Sequence, residues 1–322
     1  MRIDSALSIA AITFSLAAGS TPAAATTQRA FVATSGNDAN ASLNCSRVSP
    51  CRSFAIAIGV TDPGGSVVVL DSGGYGPVTV TTSVAIVAPP GVQAAITAAA
   101  GQAGIVVNAP GVSVTLRGLY LEGKGIGSDG IQFHVRDNST LFVENVVVDG
   151  FASNGISMVR GVALEHATLA VKDSEIRNNG ASGIYGTNGN PGDPPPLGSI
   201  LIDNTHLTHN AHGIVIDGGI ALIRNCVIVD SLINDGSAPS SGVWARAVDG
   251  PTKLLVTGSA VHRWYAGIRS SSGSIIEVGS SSVSYNTIGR GKETGGLLVS
   301  RTANVFSFNG GDASWDSTIP AD

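Results

Sequence analysis

Apolar and polar residues alternate along most of this chain in short runs that stop at a small or amide residue and then resume. The phrases "LFVENVVVDG", "LAVKDSEIRNNG", "ILIDNTHLTHN", "ALIRNCVIVD", "LLVTGSAVHRW" and "IEVGSSSVSYN" share this form. A period of two describes a strand with one face inside, and a break every few residues turns the strand through a corner. Between these phrases a Gly followed by a branched apolar or similar strand residue recurs at Gly104, Gly130, Gly155, Gly183, Gly213, Gly242, Gly267 and Gly296, about 25 to 30 residues apart, a spacing within the range of solenoid coils. A coil of two or three short strands cannot bury its apolar face alone, but stacked copies share one continuous core. The pattern predicts an all-β parallel solenoid.

Aligned coils give columns that stack at the strand spacing of roughly 4.8 Å. Leu119, Val146, Ser174, Thr205, Cys226, Ser259 and Ser281 form an inward column of mostly small residues, and Cys226 reads as a small buried filler. Leu121, Val148, Ile176, Leu207, Ile228, Val261 and Val283 form the apolar core column. A corner column runs Gly118, Asn145, Asp173, Asn204, Asn225, Gly258 and Ser280, types that tolerate left-handed backbone. Asn179 and Asn210 mark a second polar corner, suited to amide ladders.

The ends need covering, because bare ends expose apolar core and unpaired strand edges. "SPCRSFAIAIGVTDPGG" predicts an N-terminal capping helix with Ser49 as N-cap and Pro50 in the first position, covered inside by Phe54, Ile56 and Ile58. "FNGGDASWDSTIPAD" predicts a weak cap or tail anchored by Trp315. The expected organisation is a signal peptide over 1–25, a strand and capping helix over 26–65, the solenoid over 66–308 and a tail over 309–322. "GTNGNPGDPPPLG", "INDGSAPSSG" and "NTIGRGKETGG" read as irregular loops, either bordering a binding face or serving as plain connectors.

With its Gly-Ile and Asn-Ser/Thr-x-Ile phrases over residues 66–308, the chain resembles the right-handed parallel β-helix proteins of the pectin lyase-like superfamily. That resemblance implies a right-handed coil and catalytic groups on an outward face. The hydrolase branch carries Asn-Thr-Asp, Asp-Asp, Gly-His-Gly and Arg-x-Lys; here the nearest counterparts are "NTH" at Asn204 to His206 and "AHG" at Ala211 to Gly213, without the paired aspartates or the Arg-x-Lys. The lyase branch uses clustered acids on calcium beside an arginine base, and no dense acidic cluster supports calcium here. No catalytic residue carries over from the family, and no cofactor is expected.

Composition narrows the setting. The opening segment has one early basic residue, an apolar run from Ala6 to Ala18 and an Ala-x-Ala ending at Ala25, the form of a secretory signal peptide. A secreted or periplasmic protein is expected, with no membrane span elsewhere. The net charge of -5 gives no footprint for nucleic acid. An oxidising compartment makes a Cys45–Cys51 disulfide chemically reasonable.

The columns also place the residues that could carry chemistry. "GIGSDG" at Gly125 to Gly130 matches the dinucleotide pattern, but a strand follows where a helix would be needed. His206 falls in an outward column with Tyr120, Val147, Glu175, Val227, Ala260 and Ser282, whereas His209 and His212 fall past the strand, so a three-histidine metal site is not expected. Arg117, Glu144, Lys172, Asp203, Arg224 and Thr257 alternate in sign from coil to coil, as in a ladder of ion pairs. The same side also brings Glu175, Arg177, Asp149, Asp203 and His206 together, the ingredients of acid–base work on a sugar. Glu175, Asp203 and His206 are the acid–base candidates and Arg177 the charge stabiliser. Tyr185 and Trp244, in the column Gln132, Ser157, Tyr185, Val215, Trp244 and Arg269, are candidate sugar platforms or, in the other reading, rings packed beneath the long loops. The expected partner is a polysaccharide, bound and in one reading cleaved or modified; the alternative is a non-catalytic solenoid that docks a protein.

Overall fold

The computed structural model describes residues 26–136, 138–159, 167–187, 199–232, 239–301 and 303–319. The segment expected as signal peptide lies outside them, as do 188–198 and 233–238 of the two long loops. The described chain winds into three parallel sheets of twelve, nine and ten strands, here A, C and B in the order of that count, each coil passing from A to B to C. The architecture is the parallel solenoid expected from the alternation, a right-handed β-helix as the resemblance implies.

The predicted columns are the observed register. The strands pair Arg117 with Glu144, Glu144 with Lys172, Lys172 with Asp203, Asp203 with Arg224 and Arg224 with Thr257. The corner between sheets A and B is left-handed at every member of its column, with φ of 73° at Gly118, 52° at Asn145, 50° at Asp173, 45° at Asn204, 55° at Asn225, 59° at Gly258 and 47° at Ser280. Side chains that can bond to nearby backbone make this conformation inexpensive.

Just inside that corner the small-residue column does more than fill space. Ser174, Thr205, Ser259 and Ser281 each donate a hydroxyl to the carbonyl two residues back, at 2.8 to 2.9 Å. Ser174, Ser259 and Ser281 also accept the backbone N–H of Val146, Cys226 and Ser259 in the preceding coil, each at 3.2 Å. The Cys226 thiol takes the same place, donating to the Arg224 carbonyl at 3.1 Å, and burial pushes its pKa up to about 11. Cys226 is a buried member of a hydrogen-bonded file.

The glycine column holds with one correction. Gly104, Gly130, Gly155, Gly183, Gly213, Gly242 and Gly267 each lead into a strand of sheet C, but the next member is Gly289, not Gly296. A Cβ on each of these seven would come within 3.0 Å of the carbonyl oxygen of the next glycine in the file. Gly296 instead precedes the sheet A strand Leu297–Arg301 and packs against the main chain of Ser270 and Ser271. The segment "NTIGRGKETGG" is consequently no loop: Ile288–Lys292 is the last strand of sheet C.

At the N-terminal end, β1 (Thr27–Val32) pairs with β2 (Thr61–Val69), and a short helix, α1 (Phe54–Gly59), packs on both. The helix starts later than Ser49 and Pro50 suggest. Ser53 is its N-cap, accepting from the Ile56 N–H at 3.5 Å, because Cys51 is drawn into a bridge with Val32. Phe54, Ala57 and Ile58 are buried and Ile56 faces out, the i, i+3, i+4 face of a helix. The Cys45–Cys51 disulfide forms, with Cα atoms 4.9 Å apart. It closes a segment that lies on the outer edge of β1: the Phe31 and Ala33 N–H groups donate to the Cys45 and Cys51 carbonyls at 2.7 and 3.0 Å, and the Cys51 N–H donates to Phe31 at 2.9 Å.

At the other end, Ser317–Ile319 is the twelfth strand of sheet A. Trp315 meets Phe306 edge-on at 5.2 Å, and the Arg290 guanidinium lies over both rings. Asp316 accepts the Leu298 N–H at 2.7 Å and pairs with Lys292 at 2.8 Å.

Candidate functional site

Alternation in sheet B turns Val148, Ile176 and Leu207 inward and leaves Val147, Glu175 and His206 in one outward file, in register on adjacent strands. The left-handed corner just before them projects Asn145, Asp173 and Asn204 beside that file. Together these residues, with Val146 and Ser174 at the base, line an open groove of about 300 Å³. Asn204 donates its amide to Asp173 at 2.6 Å, which orients both side chains toward solvent.

Of the three acid–base candidates and the charge stabiliser Arg177, only two residues line this groove. Glu175 and His206 do, on neighbouring strands. Arg177 sits two residues farther along the strand, its guanidinium held between Glu175 and Asp149, with Nε 3.0 Å from the Asp149 carboxylate. Those two carboxylates raise its pKa against the effect of burial. Tyr120 and Asn178 also reach Asp149, at 3.3 and 2.8 Å.

Asp203 stands elsewhere. It ends the strand Ser199–Asp203 of sheet A, across the Asn204 corner from His206, and is buried. Arg224 bonds one carboxylate oxygen at 2.8 Å and Asn225 the other at 3.1 Å. The hydrogen bond from Arg224 holds the Asp203 carboxyl below the usual aspartate range. This carboxylate belongs to the predicted ion-pair ladder, as does the Arg117–Glu144 pair at 2.6 Å. The acid that lines the groove beside Glu175 is Asp173, which the sequence marks only as a corner residue; its signal is a carboxylate in a file of amides, directly before an outward strand.

Tyr185 and Trp244 lie on sheet C, a different face from the groove. Both are packed. The Trp244 indole donates to Ser271 at 2.9 Å, and the guanidinium carbons of Arg269 and Arg246 lie 4.3 and 5.1 Å from its ring centre. The Tyr185 hydroxyl is 3.5 Å from Asp217, a buried carboxylate that also accepts the Val248 N–H at 2.8 Å and pairs with Arg246. Burial raises the Tyr185 pKa, with Asp217 adding to it.

The three histidines diverge, as equal spacing along a strand and corner requires. His206 is on sheet B, His209 at the next corner with φ of 52°, and His212 on sheet C. Among the described residues no group of three or more His, Cys, Asp or Glu is placed to hold a metal. His212 accepts the Ser241 N–H at its Nδ1 at 3.1 Å, beside Trp244. Burial, aided by Arg269 and Arg246, lowers its pKa to about 4. An unfolded histidine binds its proton near pH 6.5. Folding stability attributable to this ring is therefore complete above that pH and declines as pH falls toward 4. The unfolding midpoint of His212→Asn should lack this part of the decline, as comparison of the two proteins between pH 7 and 4 would register.

No protein-family model matches the chain, and no curated protein matches it. Solved structures do. Pectate lyase Pel9A superposes with a TM-score of 0.61 at 16% identity, over 90% of this chain and 80% of that one. A rhamnogalacturonan lyase gives 0.57 at 13%, over 82% and 74%. The GH136 lacto-N-biosidase from Eubacterium ramulus gives 0.56 at 11%, over 91% and 67%. At such identities the likeness is one of fold.

Proposed function

We propose that this right-handed parallel β-helix, which has the fold of the pectin lyase-like proteins, is an exported polysaccharide-binding protein whose groove on sheet B holds the glycan. The observation that carries the reading is the groove itself, where Asn145, Asp173, Asn204, Glu175 and His206 present amide, carboxylate and imidazole groups from three successive coils. Sugar hydroxyls both donate and accept, and this set offers both functions at coil spacing. Structural neighbours named as lyases and glycosidases support a carbohydrate partner, and the Cys45–Cys51 disulfide supports export to an oxidising compartment.

Binding fits the groove better than cleavage. A general acid needs a carboxyl shielded from water, and Glu175 is 43% exposed with one oxygen engaged by Arg177. Titration calorimetry with oligogalacturonides and β-1,4-gluco-oligosaccharides tests the proposal. The native protein should bind one class, and Glu175→Gln combined with His206→Ala should weaken binding by about tenfold or more, from the loss of a carboxylate and an imidazole contact to sugar hydroxyls. Asp203→Asn, outside the groove, should leave affinity unchanged. Reducing ends or unsaturated products on long incubation would make the groove catalytic. Absence of binding to either class would favour a solenoid that docks a protein.

A further inference from the structure

Toward the C-terminal coils the outer face of sheet B loses the charge of the groove and gains hydroxyls and two aromatic rings. Tyr285 and Phe308 directly follow the strands Ser282–Ser284 and Val305–Ser307, at the corner that holds Gly150, Asn178, His209, Asp230 and Arg263 in earlier coils. The whole file is left-handed, with φ of 58° at Tyr285 and 56° at Phe308. Gly and Asn accept that backbone readily; a bulky side chain does so under strain.

The core does not use these two side chains, and on the surface Tyr285 meets only rings, Phe308 and, tilted at 6.4 Å, His262 among the described aromatic contacts. Inward positions on these coils are filled by Val283 and Phe306, while Tyr285 and Phe308 are 59% and 74% exposed. The two rings stack on each other, centroids 5.0 Å apart and planes within 9°. Val305–Ser307 is the last strand of sheet B, so among the described residues no further coil covers the face of Phe308 turned away from Tyr285. Beside the rings, Ser282, Ser284 and Ser307 form a file of hydroxyls at 3.2 Å spacing. The charge at this corner, Arg263, is paired with Asp230 at 2.9 Å.

We infer that Tyr285 and Phe308 form a stacking platform for an uncharged pyranose unit, a second contact for the polysaccharide held in the groove. The inference rests on that functional reading. The C–H groups on one face of a pyranose ring carry partial positive charge and lie well on the electron-rich face of an aromatic ring, while the serine hydroxyls meet the ring's equatorial oxygens. Four coils of roughly 4.8 Å each separate His206 from Val305, on the strand that leads to Phe308, so a glycan extended along the solenoid axis crosses about 19 Å between the two contacts. A protein partner suits the patch less well. Two rings bury about 150–250 Å² each, whereas a stable protein interface takes about 800 Å² per partner.

The test uses the full chain with β-1,4-gluco-oligosaccharides and oligogalacturonides from disaccharide to octasaccharide, and the double variant Tyr285→Asn, Phe308→Asn. Asparagine suits the left-handed corner, so Tm should not fall. Affinity for the disaccharide should be unchanged and affinity for the octasaccharide should drop by about tenfold, the loss of two stacked rings. Equal octasaccharide affinity in the double variant, with Glu175→Gln, His206→Ala still impaired, would overturn the platform and leave the groove standing. A lowered Tm with loss of short and long ligands alike would make the rings structural and overturn the inference. Failure of the native protein to bind any member of either series would remove the glycan reading of the face and the platform with it.

Discussion

Gly213→Ala should lower the free energy of unfolding by about 3 kcal/mol, the upper part of the range for overpacking a tight interior. The added methyl would come within 3.0 Å of the Gly242 carbonyl oxygen and of the Ile228 side chain. A flexible neighbour could move aside, but a main-chain carbonyl in the next coil cannot, since Gly242 is pressed in the same way against Gly267. Strain at one coil is thus passed to those above it. Gly59→Ala is the control: nothing lies within 4 Å of its added carbon, and alanine in place of a helical glycine gains up to about 1 kcal/mol. Denaturant unfolding of the two variants should differ by more than either error; equal midpoints would mean that the glycine file is not close-packed.

Trp264→Ala should cost about 3–5 kcal/mol, the range for truncating a buried aromatic. This residue is 2% exposed and stands in the amide ladder, where other coils place Asn179, Asn210, Asn286 and Asn309. In that ladder the Asn210, Asn286 and Asn309 amides donate to the Ile176, Val261 and Val283 carbonyls at 2.9, 3.3 and 3.0 Å. The Trp264 indole N–H does the same to Ile228 at 3.0 Å, and the Asn286 side chain accepts the Trp264 N–H in return. Trp264→Phe keeps most of the volume and removes the donor, so it isolates the indole hydrogen bond to Ile228, at about 0.5–1.5 kcal/mol. Thermal unfolding that ranks Phe as costly as Ala would show that the hydrogen bond, rather than the volume, dominates.

The fold was legible because its periodicity repeats. Each left-handed corner from Gly118 to Ser280 carries a residue type that announces it, and one misplaced corner would have thrown every later column out of register. Errors arose where the repeat changes length. Gly296 has the right neighbours for the glycine file, but the shortened last coil gives that place to Gly289. Ser49 and Pro50 form a sound helix start in isolation, and the pairing of Cys51 with Val32 overrides them.

The site was less legible, since chemistry depends on where side chains point after a corner. Asp203 and His206 are three residues apart in sequence, yet the turn at Asn204 puts them on different sheets. Tyr185 and Trp244 could be read as platforms or as packed rings, and the sequence does not name their covering groups, because Asp217, Arg246 and Arg269 come from their own and neighbouring coils. Conversely, Asp173, Asn145 and Asn204 were absorbed into a structural file although that file also borders the groove. A ladder position and a ligand contact are compatible roles, and sequence columns distinguish only the first.

The segment from Cys45 to Cys51 occupies the hydrogen-bonding edge of β1 and is tied shut by its own disulfide. Addition of another subunit's strand to that edge of sheet A is thereby blocked, which guards this end of the sheet against edge-to-edge growth.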